Sequence, residues 1–287
     1  MVSDPRFTPR PGRAGDPHSA FSLAERDRRW EATRRAMDAR GIDCLLVIGG
    51  GMNKNGNVRW LDNGDYGERS LVFPRKGNPM TFWLLQNWGK WYAECCWEGV
   101  RYRGHEGKVS IVAADAIRDM GYQGGTIGIV GLIGGGYGSE GAIPYMTYRN
   151  LKRLLPDASF CDASDILLKL RMVKSEEEIA MMDKASEMVN IEIDAVLRSA
   201  RPGVRESEIY AELFDASLRA GSEAGRDNYV ILSSGKGYPV NRRATDRILR
   251  GGDVLQIGYY ARYGGYWSHP HTAMSLGPLD DEYKPLR

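Results

Sequence analysis

The sequence predicts an α/β domain followed by a smaller α+β domain, and three observations carry that prediction. Apolar runs alternate with helical spacing over roughly the first half of the 287 residues. Two helices and a block of short strands then follow without alternating. The change of character falls near Asp162, which places the domain boundary at about residue 168. A chain of this length can bury two cores, and 42% hydrophobic with 26% charged residues is the balance of a globular protein rather than a disordered one.

Residues 1–20, MVSDPRFTPRPGRAGDPHSA, are rich in Pro, Gly and Arg and contain no apolar h-region. They read as a loose arm and not as a signal peptide. FSLAERDRRWEATRRAMDARG predicts a helix, with Ser22 as N-cap and Gly41 as its stop. IDCLLVIG predicts a buried strand and leads into a Gly/Asn loop. VRWL, SLVFP and MTFWLL predict further strands, divided by turn signals such as Lys76-Gly77-Asn78-Pro79. VSIVAADAIRDMG reads as a strand running into a helix, and TIGIVGLI as another buried strand. YMTYRNLKRLL is helical in spacing and SFCD is strand-like, so the first sheet is expected to be mostly buried.

Past the boundary, EEEIAMMDKASEMVNIEIDAVLRSA predicts a long amphipathic helix, opened by Ser175 with Glu178 three residues on. Arg201-Pro202-Gly203 ends it. A second helix runs from about Glu206 to Ala220 and stops at Gly221. NYVILSSG, DVLQIGYYA and GYWSHPHTAMSL then predict an antiparallel meander, with Gly251-Gly252 and Gly264-Gly265 as turns.

Charge excludes some functions. The 39 basic and 37 acidic residues leave a net +2, which gives no nucleic-acid footprint. No apolar run reaches the roughly 18 residues of a membrane span. Cys44, Cys95, Cys96 and Cys161 lack metal-type spacing, so reduced thiols in a cytoplasmic protein are expected.

Ser268-His269-Pro270-His271 is the most reactive-looking patch. Residues two apart on a strand share a face, so His269 and His271 can converge. Imidazoles titrating near neutrality suit proton transfer. The alternatives are two polar residues at a bend forced by Pro270, or a two-histidine ion site. Tyr259, Tyr260, Tyr263, Tyr266 and Trp267 crowd the same strands, either as an aromatic wall for a ligand or through strand propensity alone. Gly136-Tyr137-Gly138-Ser139-Glu140-Gly141 fits a dinucleotide-binding pattern, with Asp162 about 20 residues on as the ribose acid.

Three passages carry a family resemblance. IDCLLVIG with NVRWLDNG is one. LLPDASFCDASDILLKLRMVKSEEEI, with Arg171, Lys174, Ser175, Glu178 and Ile179, is the second. RPGVRESEI, leading to TDRILRGGDVLQIGYYARYGGYWSHPHTAMSLG, is the third. In this order and spacing they resemble the creatinase, prolidase and aminopeptidase P family. The resemblance implies a creatinase-like N-terminal domain at 21–168 and the first, incomplete part of a pita-bread catalytic domain at 169–287. It also implies a homodimer whose loop near Arg59, Trp60 and Asp62 reaches a substrate pocket. The positions of two metal-binding aspartates in metal-dependent relatives fall on Gly258 and His269, and that of an upstream histidine on Asn241.

By this resemblance no metal and no other cofactor is expected. The family's remaining ligands lie on strands that this sequence does not contain, so a piece of a longer protein, or a half-domain completed by a partner, is expected. The implied function is a metal-independent hydrolase or lyase acting on a small amide or guanidino molecule. His269 and His271 are the expected catalytic residues, and Asn241, Tyr260, Trp267 and Arg59 the expected substrate contacts. The alternatives are a non-catalytic dimeric binding scaffold and, behind it, an NAD-binding oxidoreductase. The expected partners are a small-molecule substrate and a second copy of the chain, without nucleic acid or membrane.

Overall fold

Ser22 opens the first helix as its position predicts: its hydroxyl accepts a hydrogen bond from the Glu25 N–H at 3.1 Å. The computed structural model describes residues 21–49, 56–64, 69–84, 96–133, 141–223, 230–233 and 244–278. The chain divides into two units, Met1–Glu177 and Glu178–Arg287.

In the first unit α1 (Leu23–Asp38) is followed by β1 (Cys44–Val47), α2 (Gly56–Asp62), β2 (Ser70–Pro74), β3 (Met80–Trp83) and β4 (Arg101–Gly104). Then come α3 (Val109–Asp119), β5 (Thr126–Val130), α4 (Tyr145–Leu154), β6 (Ser159–Asp162) and α5 (Ser164–Met172). The six strands form one mixed sheet in the order β4-β3-β2-β1-β5-β6. Pairs β1–β5, β5–β6 and β3–β4 are parallel, and β1–β2 and β2–β3 antiparallel. Every residue of the central strand β1 is buried, which explains its continuous apolar run. Ala113, Ala116 and Ile117 of α3 and Leu151 of α4 pack on Leu46, Val72 and Phe82 of the sheet. Full burial of a side chain such as Phe82 contributes about 1.5–3 kcal/mol. Gly128 is required by close approach: a Cβ there would lie 2.8 Å from the Ala163 Cβ and 2.9 Å from Leu45 Cδ2.

Three local expectations need correction. VRWL is not a strand but part of α2, because burying Val58, Leu61 and Asp62 together requires helical spacing. Asn63, in the left-handed region at φ 57°, ends that helix while its N–H still reaches the Arg59 carbonyl at 2.7 Å. VSIV begins helix α3 directly, and no strand precedes it within that run. RYRG forms β4, an edge strand that nothing in its composition announces.

The long helix α6 (Glu176–Ser199) crosses the division between the units. The second unit continues with α7 (Glu206–Arg219), β7 (Val230–Ser233), β8 (Val254–Gly258), β9 (Ala261–Tyr263), β10 (Tyr266–Ser268) and β11 (His271–Ser275). Gly203 follows α6 with φ +92°, and Gly221 follows α7 with φ +89°. Strands β7, β8 and β11 form an antiparallel sheet with β8 central, and β9 and β10 pair as a hairpin. Leu255 and Ile257 turn inward onto Val189, Val196, Ile209 and Leu213, whereas Gln256 between them is exposed. The alternation gives the sheet one face against the helices and one exposed face. No helix among the described residues is long and apolar enough to cross a membrane.

Candidate functional site

The exposed face of the second unit gathers one ladder of rings. Pro270 separates β10 from β11, and its carbonyl accepts from the Tyr259 N–H at 3.1 Å. This bend brings His269 over Tyr260, two residues past the end of β8. Tyr260 and His269 stack with centroids 3.8 Å apart and planes 21° from parallel. His271 stands 4.6 Å from His269, tilted by 56°. Trp267 meets Tyr260 edge-on at 6.5 Å. Arg262, paired with Trp267 across the hairpin, lays its guanidinium 5.1 Å from the indole ring. That guanidinium also forms an ion pair with Glu223 at 2.9 Å. The order along the face is Arg262, Trp267, Tyr260, His269, His271.

The hairpin's other side is spent on structure. Tyr266 donates a hydrogen bond from its hydroxyl to Glu178, and Ser186 and Ser268 are joined at 3.2 Å. Tyr259 is 1% exposed and its hydroxyl accepts from Thr272 at 3.2 Å. Tyr263 packs against the core. Tyr259 is withdrawn into the core and the Tyr266 hydroxyl is engaged by Glu178, while Tyr260 and Trp267 remain in the ring ladder.

Burial of its ring, with His271 beside it, pulls the pKa of His269 below the usual imidazole value of 6.5. The neutral imidazole, with an unshared pair able to accept a proton, is accordingly the form present at pH 7.

The residues on this face do not fit a pair of divalent ions. Gly258 offers no ligand atom, and the space a side chain would enter is filled: a Cβ there would lie 3.0 Å from His271 Cε1. Among the described residues no three His, Cys, Asp or Glu side chains come together in a metal-binding group. Two imidazoles alone are a poor match to the hard oxygen donors of a dinuclear hydrolase centre.

Other predicted residues lie elsewhere. Asn241 is outside the described residues. Arg59 is half-buried on α2 in the first unit. Its neighbours Trp60 and Asp62 are not available as substrate contacts, being 3% and 0% exposed. Asp62 is held instead by Arg69, Gly64 and Thr81. The glycine-rich pattern at 136–141 lies outside the described residues except for Gly141. Its partner Asp162 is occupied locally, accepting from the Ser164 hydroxyl at 2.7 Å at the start of α5. Cys44, Cys96 and Cys161 are free thiols, and burial followed by the nearby Asp43 charge pushes Cys44 up to about 12. Arg262 was not anticipated as a member of the site. The spacing of Arg262 two residues after Tyr260 was the available signal.

Comparisons with known proteins agree with this architecture. Residues 29–173 match the Creatinase/Prolidase N-terminal domain, and residues 180–286 match Metallopeptidase family M24. An uncharacterized peptidase of Bacillus subtilis, YqhT, is 22% identical over 256 residues, covering 89% of this chain and 67% of the relative. An Xaa-Pro dipeptidase of Pyrococcus furiosus is 25% identical over 149 residues, covering 52% of this chain and 43% of the relative. Among solved structures, the prolidase of Pyrococcus horikoshii superposes with a TM-score of 0.73 at 20% identity. That superposition covers 90% of this chain and 67% of the other. The chain thus spans about two thirds of the solved relative and, by aligned sequence, less than half of the Pyrococcus furiosus dipeptidase.

Proposed function

We propose that this chain, which belongs to the creatinase and prolidase family, carries the proton-handling part of a metal-independent hydrolase or lyase. The substrate class is a small molecule with an amide or guanidino C–N bond. The observation that supports the reading is the absence of a side chain at Gly258, where the His271 ring would lie 3.0 Å from an added Cβ. His269, neutral at pH 7, takes a proton from the attacking water as the C–O bond forms. The same imidazolium then returns it to the nitrogen as the C–N bond breaks, so water is consumed and the histidine is regenerated. Tyr260 and Trp267 hold the apolar part of the substrate, and Arg262, ion-paired with Glu223, steadies the Trp267 ring from beside. Arg59 and Asn241 remain proposed substrate contacts. A homodimer and a cytoplasmic location go with the reading, supported by the family resemblance and by the free thiols of Cys44, Cys96 and Cys161.

The test is turnover of amide and guanidino compounds by the natural full-length protein, before and after exhaustive chelation. The expected result is activity that survives chelation and is lost in His269→Ala. Activity abolished by chelation and restored by a divalent ion would reject it. The second reading is an Xaa-Pro peptidase dependent on metal, favoured by the family M24 match at residues 180–286 and by the names of the relatives. Chelator sensitivity on an Xaa-Pro dipeptide is its signature.

A further inference from the structure

Gly258 ends β8 and pairs directly with His271 in the antiparallel register. Its backbone is outside the left-handed region, so its conformation does not demand glycine. Its surroundings do. A Cβ at this position would lie 3.0 Å from His271 Cε1, 3.4 Å from His271 Nδ1 and 3.5 Å from Tyr260 Cε2. Carbon atoms in contact prefer about 3.5–4.0 Å, so a side chain here needs the His271 ring to give by a few tenths of an ångström, whereas the Tyr260 ring stays at ordinary contact distance. By contrast, a Cβ added at Gly251, before the same strand, would meet nothing within 4 Å.

These two rings are the neighbours of His269. Tyr260 stacks on it at 3.8 Å and His271 stands 4.6 Å away. Both rings that neighbour His269 therefore lie against the side-chain-free face of Gly258. Farther along the same ladder the charged groups are Arg262 and its partner Glu223, with Trp267 between Arg262 and Tyr260.

We propose that Gly258 is a positioning residue: by carrying no side chain it seats the His271 and Tyr260 rings against β8, and so fixes the His269–His271 pair in one arrangement. The functional weight of this role rests on the proton chemistry proposed above, but the ring geometry exists without substrate. A consequence is that a side chain at 258 and the imidazole at 271 compete for one space. Gly258→Asp, the single change that restores a carboxylate there, displaces His271 instead of adding a ligand beside it.

The experiment is NMR of the imidazole protons in the wild-type chain and in Gly258→Ala and His271→Ala, each titrated over pH. In the wild type, the His271 Hε1 proton shows a strong NOE to the Gly258 Hα protons, and the His269 ring protons are shifted upfield by the stacked Tyr260. In Gly258→Ala that NOE weakens, the upfield shift is lost, and the His269 titration midpoint moves towards its value in His271→Ala. Unchanged Leu255 and Ile257 methyl signals show that the fold persists, and a purely structural role would leave the His269 midpoint in place. His269 signals and titration identical in Gly258→Ala and wild type overturn the proposal. If Gly258→Ala does not fold, the wild-type NOE and the response of His269 to His271→Ala decide: absence of either overturns it. A chain with this ring geometry that turns over no amide or guanidino compound contradicts the proposed function alone.

Discussion

In the first unit the carboxylate of Asp62 and the guanidinium of Arg69 are 0% and 1% exposed, and each is fully engaged. Arg69 reaches both Asp62 oxygens at 3.1 Å and the Gly64 carbonyl at 2.7 Å, while Gly64 N–H and Thr81 complete the carboxylate's bonds. In the second unit His269 and His271 are exposed, and their ring contacts are to Tyr260 and to each other. The first group of polar side chains is consumed by the fold, and the second is presented by it. A buried charge is tolerated only when it is paired and hydrogen-bonded, so a saturated cluster such as Asp62–Arg69 answers to stability. An exposed titratable group with a displaced pKa, such as His269 between β10 and β11, is instead a candidate for function.

The largest effect expected from this contrast is on Asp62. Asp62→Ala leaves the buried Arg69 without its counter-charge and should cost about 3–5 kcal/mol in a urea unfolding series. A cost near zero would mean that the cluster is not holding the first unit. The next is in the second unit, where Arg247 grips both oxygens of Asp253 at 2.6 and 2.8 Å and the Arg250 N–H adds a third bond at 2.7 Å. Asp253→Asn should cost about 1.5–3 kcal/mol, the range for hydrogen bonds to charged groups. The Arg247 hydrogen bond, partly opposed by burial, holds Asp253 below its ordinary 3.8. Because the folded value is depressed, this stabilisation is present above about pH 3.8 and is lost as pH falls through the folded value. Unfolding midpoints of Asp253→Asn and the wild type should therefore approach each other only as pH falls below 3.8 and through the depressed folded value. The smallest stability effect belongs to the exposed pair: His269→Ala should stay within about 0.5 kcal/mol of the wild type. In the same variant, turnover should fall by about 10²–10⁴-fold, so fold and function separate at this residue. The pH–rate profile sharpens the point. With His269 depressed below 6.5, the base-dependent rate should reach its plateau at a lower pH than a free imidazole would give.

Strands such as β1 and β5 were readable because Cys44–Val47 and Thr126–Val130 are uninterrupted apolar runs that fit only a buried strand bounded by turns. Helix α2 was not. Over four residues Val-Arg-Trp-Leu satisfies a strand period as well as a helical one, and only burial of Asp62 with Val58 and Leu61 decides between them. Strand β4, Arg-Tyr-Arg-Gly, owes its existence to pairing with β3, which no local pattern encodes. At the site, the shared face of His269 and His271 followed from strand geometry. The Tyr260–His269 stack did not, since it depends on how the bend at Pro270 returns the chain over β8. Nor did the role of Gly258, whose meaning lies in the ring opposite it and not in its own backbone.

Under the proposed function, imidazoles and not a pair of divalent ions do the chemistry at this face. Elemental analysis of the natural full-length protein, purified without chelators, tests it most directly. The proposed function predicts less than about 0.1 divalent ion per chain, because Gly258 offers no ligand atom and the His271 ring lies close over it. Stoichiometric metal that disappears in a His269→Ala, His271→Ala double variant would contradict it and make the two histidines ligands.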